Sequence, residues 1–253
     1  MLSTIFQKTT PIGSWLQIGN IEFTKMMIQA GFDFLVIDME HGSLSESELS
    51  SILEVFSKTD CIPMVRVANN DPILIRRALD LGAKGIIVPC VKSKEDVVKA
   101  ENAIYYPPKG ERGIGFSKAN YYGLEFDEYF QSFNNDVLFV VQIEHKKAIE
   151  NIDDILSSEN IDYYIIGPYD LTGSMGIVGE FNNPKYLESL EIVKKSAFKN
   201  GIGSGIHVVS PDIDQLKSAR SEGYKFIAYS TDALLLHEKC NYDLMKISAL
   251  KQK

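Results

Sequence analysis

Short apolar runs recur along this chain, each followed by a longer stretch with helical signals, and that rhythm restricts the fold more than any other feature. The runs are SWLQI (14–18), FLVID (34–38), PMVRV (63–67), GIIVP (85–89), LFVVQIE (138–144), YYIIG (163–167), GSGIHV (203–208) and KFIAYS (225–230), eight in all. Their shortness and their content of Val, Ile, Tyr and Phe favour strands. The segments between them read as helices. In NDPILIRRALDLG, Asp71 offers an N-cap, Pro72 the first helical position, periodic Ile and Leu an apolar face, and Gly82 a stop. SKEDVVKAENAIYYPP opens on Ser93 and ends at a double proline.

Strand–helix alternation predicts a parallel sheet covered by helices. Eight such units in 253 residues fit a closed (β/α)8 TIM barrel, with an open doubly wound sheet as the alternative. No Gly/Ser linker or charge-biased half divides the chain, so residues 1–253 read as a single domain. The rhythm breaks once. Nearly fifty residues separate the fourth and fifth runs, including YYPPKGERGIGFSKANYYGLEFDEYF. Long connections tend to be functional, so the stretch 107–130 is expected to cover the mouth of the barrel.

Composition narrows the partners. Apolar residues make up 45% and charged residues 24%, as in ordinary soluble proteins. A net charge of −8 without a long basic run speaks against nucleic-acid and anionic-membrane partners. Cys61, Cys90 and Cys240 lie far apart with no CxxC, which suggests a reducing compartment and argues against a thiolate metal cage. The start, MLSTIFQKTTPIGSW, lacks a basic region followed by an apolar one. No run approaches the roughly 20 apolar residues of a membrane span. A cytoplasmic protein is expected.

In a (β/α)8 barrel, catalytic groups gather at the C-terminal ends of the strands. The polar residues there are Asp38, Glu40 and His41 after the second run, Arg66 in the third, Gln142 and Glu144 in the fifth, and Asp170 after the sixth. Strand alternation puts Gln142 and Glu144 on one face and Ile143 on the other; the same parity joins Asp38 to Glu40. Two carboxylates from adjacent strands, Glu144 and Asp170, suit a hard divalent cation that leaves positions open for substrate oxygens.

FDFLVIDMEHG, VRVANNDP, LDLGAKGIIVP, YPPKGERGIG, VVQIE and IIGPYDLTGSMG occur in this order between about residues 13 and 182. Together they resemble the HpcH/HpaI family of metal-dependent class II pyruvate aldolases, the 4-hydroxy-2-oxo-heptanedioate and 2-keto-3-deoxy acid aldolases among them. The resemblance implies a (β/α)8 barrel that makes or breaks a carbon–carbon bond next to pyruvate through a metal-stabilised enolate. It makes Glu144 and Asp170 the ligands of a divalent cation, Mg²⁺ or Mn²⁺ first, with Co²⁺ or Zn²⁺ within range. It gives Gln142 and the backbone at Tyr169 and Asp170 to the 2-oxo acid, His41 to proton acceptance and Arg66 to the enolate. Asp80 would orient and strengthen the histidine. A homo-oligomer, trimer or hexamer, is also implied, with the C-terminal helix (about 233–250) exchanged between subunits.

Each role has a physical basis. A cation chelated by the 2-oxo acid acts as a Lewis acid as C3–C4 breaks, and Arg66 would add fixed positive charge beside the same oxygen. Cleavage needs a base for the C4 hydroxyl, and histidine titrates near neutral pH. Of the four histidines, His41 is best placed; His145 should point away, His207 is a weaker pocket candidate and His237 belongs to a terminal helix. Asp80 falls in the last turn of its helix, where a carboxylate opposes the dipole and calls for a compensating partner such as His41. Trp15, the only tryptophan, is a candidate for the acceptor pocket or for the core. Arg112 and Lys118 are candidates to meet an anionic acceptor. A Schiff-base lysine is disfavoured, because Lys92, Lys146 and Lys147 follow strands in polar, helix-leading stretches. The rivals are a citrate-lyase-like enzyme acting on a CoA thioester and a catalytically silent barrel that binds a metabolite.

Overall fold

Eight parallel strands hydrogen-bond in chain order and the last pairs with the first, closing the barrel. They are β1 (Ile12–Leu16), β2 (Phe34–Asp38), β3 (Ile62–Arg66), β4 (Gly85–Val88), β5 (Leu138–Ile143), β6 (Tyr163–Ile166), β7 (Gly203–Val208) and β8 (Phe226–Thr231). The computed structural model describes residues 10–251; the part of the leader reading that falls on residues 1–9 lies outside them. Every expected strand is present, and the edges move by no more than two residues.

The helices are α1 (Ile21–Gln29), α2 (Glu46–Val55), α3 (Pro72–Asp80), α4 (Lys94–Ile104), α5 (Phe126–Asp136), α6 (Lys146–Glu150), α7 (Ile152–Ile155), α8 (Pro168–Ser174), α9 (Pro184–Asn200), α10 (Ile213–Ser221) and α11 (Asp232–Lys251). Local chemistry sets their starts. Asp71 accepts from the N–H groups of Ile73 and Leu74 at the head of α3, and Ser93 forms a capping box with Asp96 at the head of α4. Each such cap stabilises a helix by about 1 kcal/mol.

Strand alternation sorts the apolar residues into two cores. Leu35, Ile37, Val65, Ile86, Val141 and Ile143 face outward and pack under the helices. Phe34, Val36, Met64, Ile87, Val140, Tyr163, Ile165 and Phe226 fill the bore. Its lower part is aromatic: Phe34 stacks on Phe226 at 4.4 Å between ring centroids, and Tyr163 stacks on Phe226 at 5.3 Å. Glycines make room for these rings. A Cβ on Gly13 would sit 2.3 Å from the Phe34 ring, and one on Gly203 would sit 2.3 Å from the Tyr163 ring. Higher in the bore the same parity delivers polar side chains instead: Asp38, Arg66, Gln142 and His207.

The seam is irregular. Gly13 pairs with Ala228 but Trp15 pairs with Thr231, so β8 carries an extra residue there. Ser230 absorbs it at φ 56°. Past the seam, the buried Asp232 carboxylate accepts from the N–H groups of Gln17, Ile18 and Gly19 at 2.9, 3.0 and 3.1 Å.

The long insert corrects one expectation. α4 returns the chain to the N-terminal end of the barrel before the insert begins, so the insert joins a helix to a strand and lies at that end. Tyr121 and Tyr122 line a cavity there with Thr59, Ile62, Pro63 and Lys84. Lys118 donates to the Ser50 carbonyl at 2.5 Å and pairs with Glu54 at 3.0 Å. Arg112 is buried against the Tyr106 and Phe133 rings. In this chain neither cation reaches the mouth, and residues 107–130 do not cover it. No helix among the described residues is long and apolar enough to cross a membrane.

Candidate active site

Arg66 ends β3 facing inward and is held on several sides. Its Nε and Nη2 donate to the two oxygens of Asp38 at 2.9 and 2.7 Å. Its Nη1 donates to Gln142 Oε1 at 3.4 Å and lies 3.0 Å from Glu40 Oε2. The guanidinium rests over the Trp15 ring, 4.5 Å from its centroid. Trp15 is thus a buried platform beneath Arg66, with its own Nε1 unpartnered. Burial alone would raise the Asp38 carboxyl, but Arg66 and the N–H groups of His41 and Glu40 hold it below the ordinary value. Burial pushes Glu40 the other way; Arg66 opposes the rise and the Glu144 charge adds to it.

Gln142 and Glu144 project from β5 as parity requires. Glu144, only 5% exposed, accepts from the Cys90 N–H at 2.5 Å through Oε1 and from the Gln142 amide through Oε2. Gln142 therefore bridges the arginine and the carboxylate. Burial, with Glu144 beside it, pushes the Cys90 thiol up to about 11. His207, from β7, meets the Trp15 ring at 5.4 Å and places Nε2 3.3 Å from the Ser230 carbonyl. Burial lowers its pKa to about 4.

Above this layer opens a cavity of about 550 Å³ bordered by Glu40, His41, Cys90, Lys92, Glu144 and Asp170, among others. His41 lies on its rim with Nε2 4.0 Å from Glu40 Oε2. Asp170 and Tyr169 border the cavity from the first turn of α8, where both are exposed. His145 caps α6 through Nδ1, which accepts from the Lys147 N–H. His237 is an exposed residue of α11, bonded to Asn241.

Within the chain, Asp80 is compensated by Arg112, whose Nη2 donates to Oδ1 at 2.6 Å. α3 runs back down the barrel, so its last turn lies at the end opposite the strand tips. In this chain the acid nearest the His41 ring is Glu40.

The residues fit a divalent cation. Glu40, Cys90 and Glu144 each present one ligand atom, all within 4.8 Å of one another. Glu40 Oε2 is buried without a directed hydrogen bond. Gly167 leaves space beside the group, since a Cβ there would stand 2.8 Å from Glu144 Oε2. Asp170 borders the same cavity but is not one of these three. Sequence reasoning noticed Glu40 without giving it a role and passed over Cys90. The available signal was position: Cys90 follows a strand end just as Asp170 does.

The sequence profile of HpcH/HpaI aldolase/citrate lyase matches residues 12–238. A 2-dehydro-3,6-dideoxy-6-sulfogluconate aldolase of Pseudomonas putida is 33% identical over 93% of this chain and 91% of its own length. A 5-keto-4-deoxy-D-glucarate aldolase of Escherichia fergusonii is 33% identical over 87% and 86% respectively. Among solved structures, an HpcH/HpaI aldolase/citrate lyase family protein from Burkholderia cenocepacia superposes with a TM-score of 0.90. It is 28% identical, covering 97% of this chain and 99% of its own.

Proposed function

The chain belongs to the HpcH/HpaI aldolase/citrate lyase family and is a carbon–carbon lyase of the class II aldolase kind; on that premise we propose that it reversibly cleaves a 4-hydroxy-2-oxo acid of the 2-keto-3-deoxy type into pyruvate, or a close 2-oxo acid, and an aldehyde. The observation that carries the reading is a half-buried arginine, fixed by Asp38, that pairs with Glu40 and reaches Glu144 through Gln142 beneath an open cavity. Glu144, with Asp170 across the cavity, would hold a divalent cation, Mg²⁺ or Mn²⁺ by the hardness of the oxygens. Such a cation, when bound, polarises a 2-oxo group as a Lewis acid.

The chain's own groups do the rest. Gln142, fixed between Arg66 and Glu144, and the backbone at Tyr169 and Asp170 position the 2-oxo acid. His41 takes the proton of the C4 hydroxyl; the C3–C4 electron pair passes into the enolate, the aldehyde departs, and C3 is then protonated. Arg66 sits ready for the negative charge that develops on the 2-oxo oxygen and needs no reorganisation to meet it. Glu40 would steady the imidazolium of His41, the task first given to Asp80. Trp15 acts through Arg66 as its support.

The enzyme would work in the cytoplasm as a homo-oligomer. Leu236, Leu244, Ile247 and Leu250 leave an apolar face of α11 exposed, which supports exchange of that helix between subunits.

The deciding experiment combines pyruvate, a panel of aldehydes and a chelator control with isothermal titration of the cation. Glu144→Gln is expected to weaken cation binding and abolish turnover while the melting temperature holds. Full turnover in that variant would remove Glu144 from the site. Turnover of an acyl-CoA with none of the aldehydes would favour the citrate-lyase-like alternative.

A further inference from the structure

The reaction outlined above leaves one cation of the mouth unused. Lys92, in the turn after β4, is the only lysine or arginine bordering the cavity among the described residues. Its backbone is pinned on both sides: its N–H donates to Asp96 Oδ2 at 2.9 Å, and its carbonyl accepts from Asn151 Nδ2 at 2.9 Å. Lys92 is half-buried, and its ammonium makes no hydrogen bond or ion pair among the described residues. The charge is felt along the cavity wall. It opposes the rise of the Cys90 thiol, and after burial it is the largest influence lowering His145. His145 borders the same cavity. Because its Nδ1 accepts from the Lys147 N–H at 3.1 Å, the neutral ring keeps its proton on Nε2. That wall thus offers a positive charge and a second donor.

The acids of the cavity do not consume that charge. Glu40 is paired with Arg66 at 3.0 Å, and on the reading above Glu144 and Asp170 are committed to the divalent cation. Within this chain Arg112 and Lys118 are tied down elsewhere, to Asp80 and to the Ser50 carbonyl. Resting on that reading, we propose that Lys92 is the specificity-determining residue for the far end of the substrate, where its ammonium binds an anionic group carried by the aldehyde fragment. The substrate class is then a 4-hydroxy-2-oxo acid with a second acid group, and the aldehyde released is itself an anion. An ammonium without a protein partner gains a charge-assisted bond from such a group and gains nothing from an uncharged tail. Specificity is the difference between the two. Lys146 is exposed on α6 and does not border the cavity, so it serves as a control for general surface charge.

The compounds 2-oxoadipate and 2-oxohexanoate share one chain length and differ in a terminal carboxylate; both lack the C4 hydroxyl, so neither can be cleaved. Each is titrated calorimetrically into the full-length protein with saturating Mg²⁺. The diacid is expected to bind about tenfold tighter. That preference should vanish in Lys92→Gln, reverse in Lys92→Glu, and persist in Lys92→Arg and Lys146→Gln. In aldol synthesis from pyruvate, Lys92→Gln should raise KM for 4-oxobutanoate by about tenfold while kcat and the KM for butanal hold. Equal binding of the two compounds by the unsubstituted protein overturns the role of Lys92 and leaves the 2-oxo acid site standing. A preference for the diacid that survives in Lys92→Gln belongs to another group and overturns it as well. Binding of neither compound overturns the underlying reading, and this one with it.

Discussion

Arg66 carries its geometry from Asp38, and the pair explains why a guanidinium stands there. Two parallel bonds fix a plane, which a lysine cannot reproduce. Arg66→Lys is therefore expected to lower kcat by about 10²–10³ while leaving the barrel folded, as steady-state kinetics and thermal melts would show. Arg66→Met should in addition cost about 3–5 kcal/mol, because Asp38 is fully buried and would lose its counter-charge. His207 gives a second prediction at this scale. Its folded pKa of about 4 lies below the ordinary 6.5. Between those values the unfolded chain takes up a proton that the folded chain refuses, so stability falls as pH drops through that window. The loss flattens below pH ~4 and reaches about 3 kcal/mol. His207→Gln, followed by urea denaturation across pH, should show a shallower acid limb. The inward placement of Gln142 and Glu144 was legible from strand parity, and that of Arg66 from its position at a strand end. The placement of Cys90 was not, because it depends on a left-handed backbone turn that no spacing announces. The dipole at the end of α3 correctly called for a partner for Asp80, but only the course of the chain shows that the partner is Arg112.

Among the elements, most strands were plain in the sequence because they bury both faces and read as short apolar runs, β7 with its half-buried GSGIHV being the least so. The insert after α4 was misplaced for a countable reason: each helix reverses the direction of travel, and a segment that follows a helix emerges at the opposite end from one that follows a strand. The closing seam was hidden as well. Nothing in KFIAYS marks the extra residue at Ser230, or shows that Asp232 ties α11 to the tip of β1. Asp232→Ala would leave the N–H groups of Gln17, Ile18 and Gly19 without their acceptor in a dry setting. At about 1–3 kcal/mol for each buried donor left unpaired, with water relieving some, chemical denaturation should register a loss of several kcal/mol. Asp232→Asn, which keeps one acceptor oxygen, should lose less.

The whole molecule is a closed barrel that leaves an apolar face of α11 exposed beyond its contacts with β1 and β8. If that helix is exchanged between subunits, a charge on its exposed face should dissociate the assembly. Ile247→Glu combined with Leu250→Glu is expected to shift the sedimentation coefficient toward that of a single chain, with the secondary structure intact; an unchanged coefficient would move the contact elsewhere. The stacked rings of Phe34, Tyr163 and Phe226 have a consequence of their own. They stopper the bore from below, so reactants and products share one doorway. If the 2-oxo acid beds against Arg66 and the aldehyde forms nearer the rim, departure would be a queue: the fragment nearer the door leaves first, and the deeper one waits its turn.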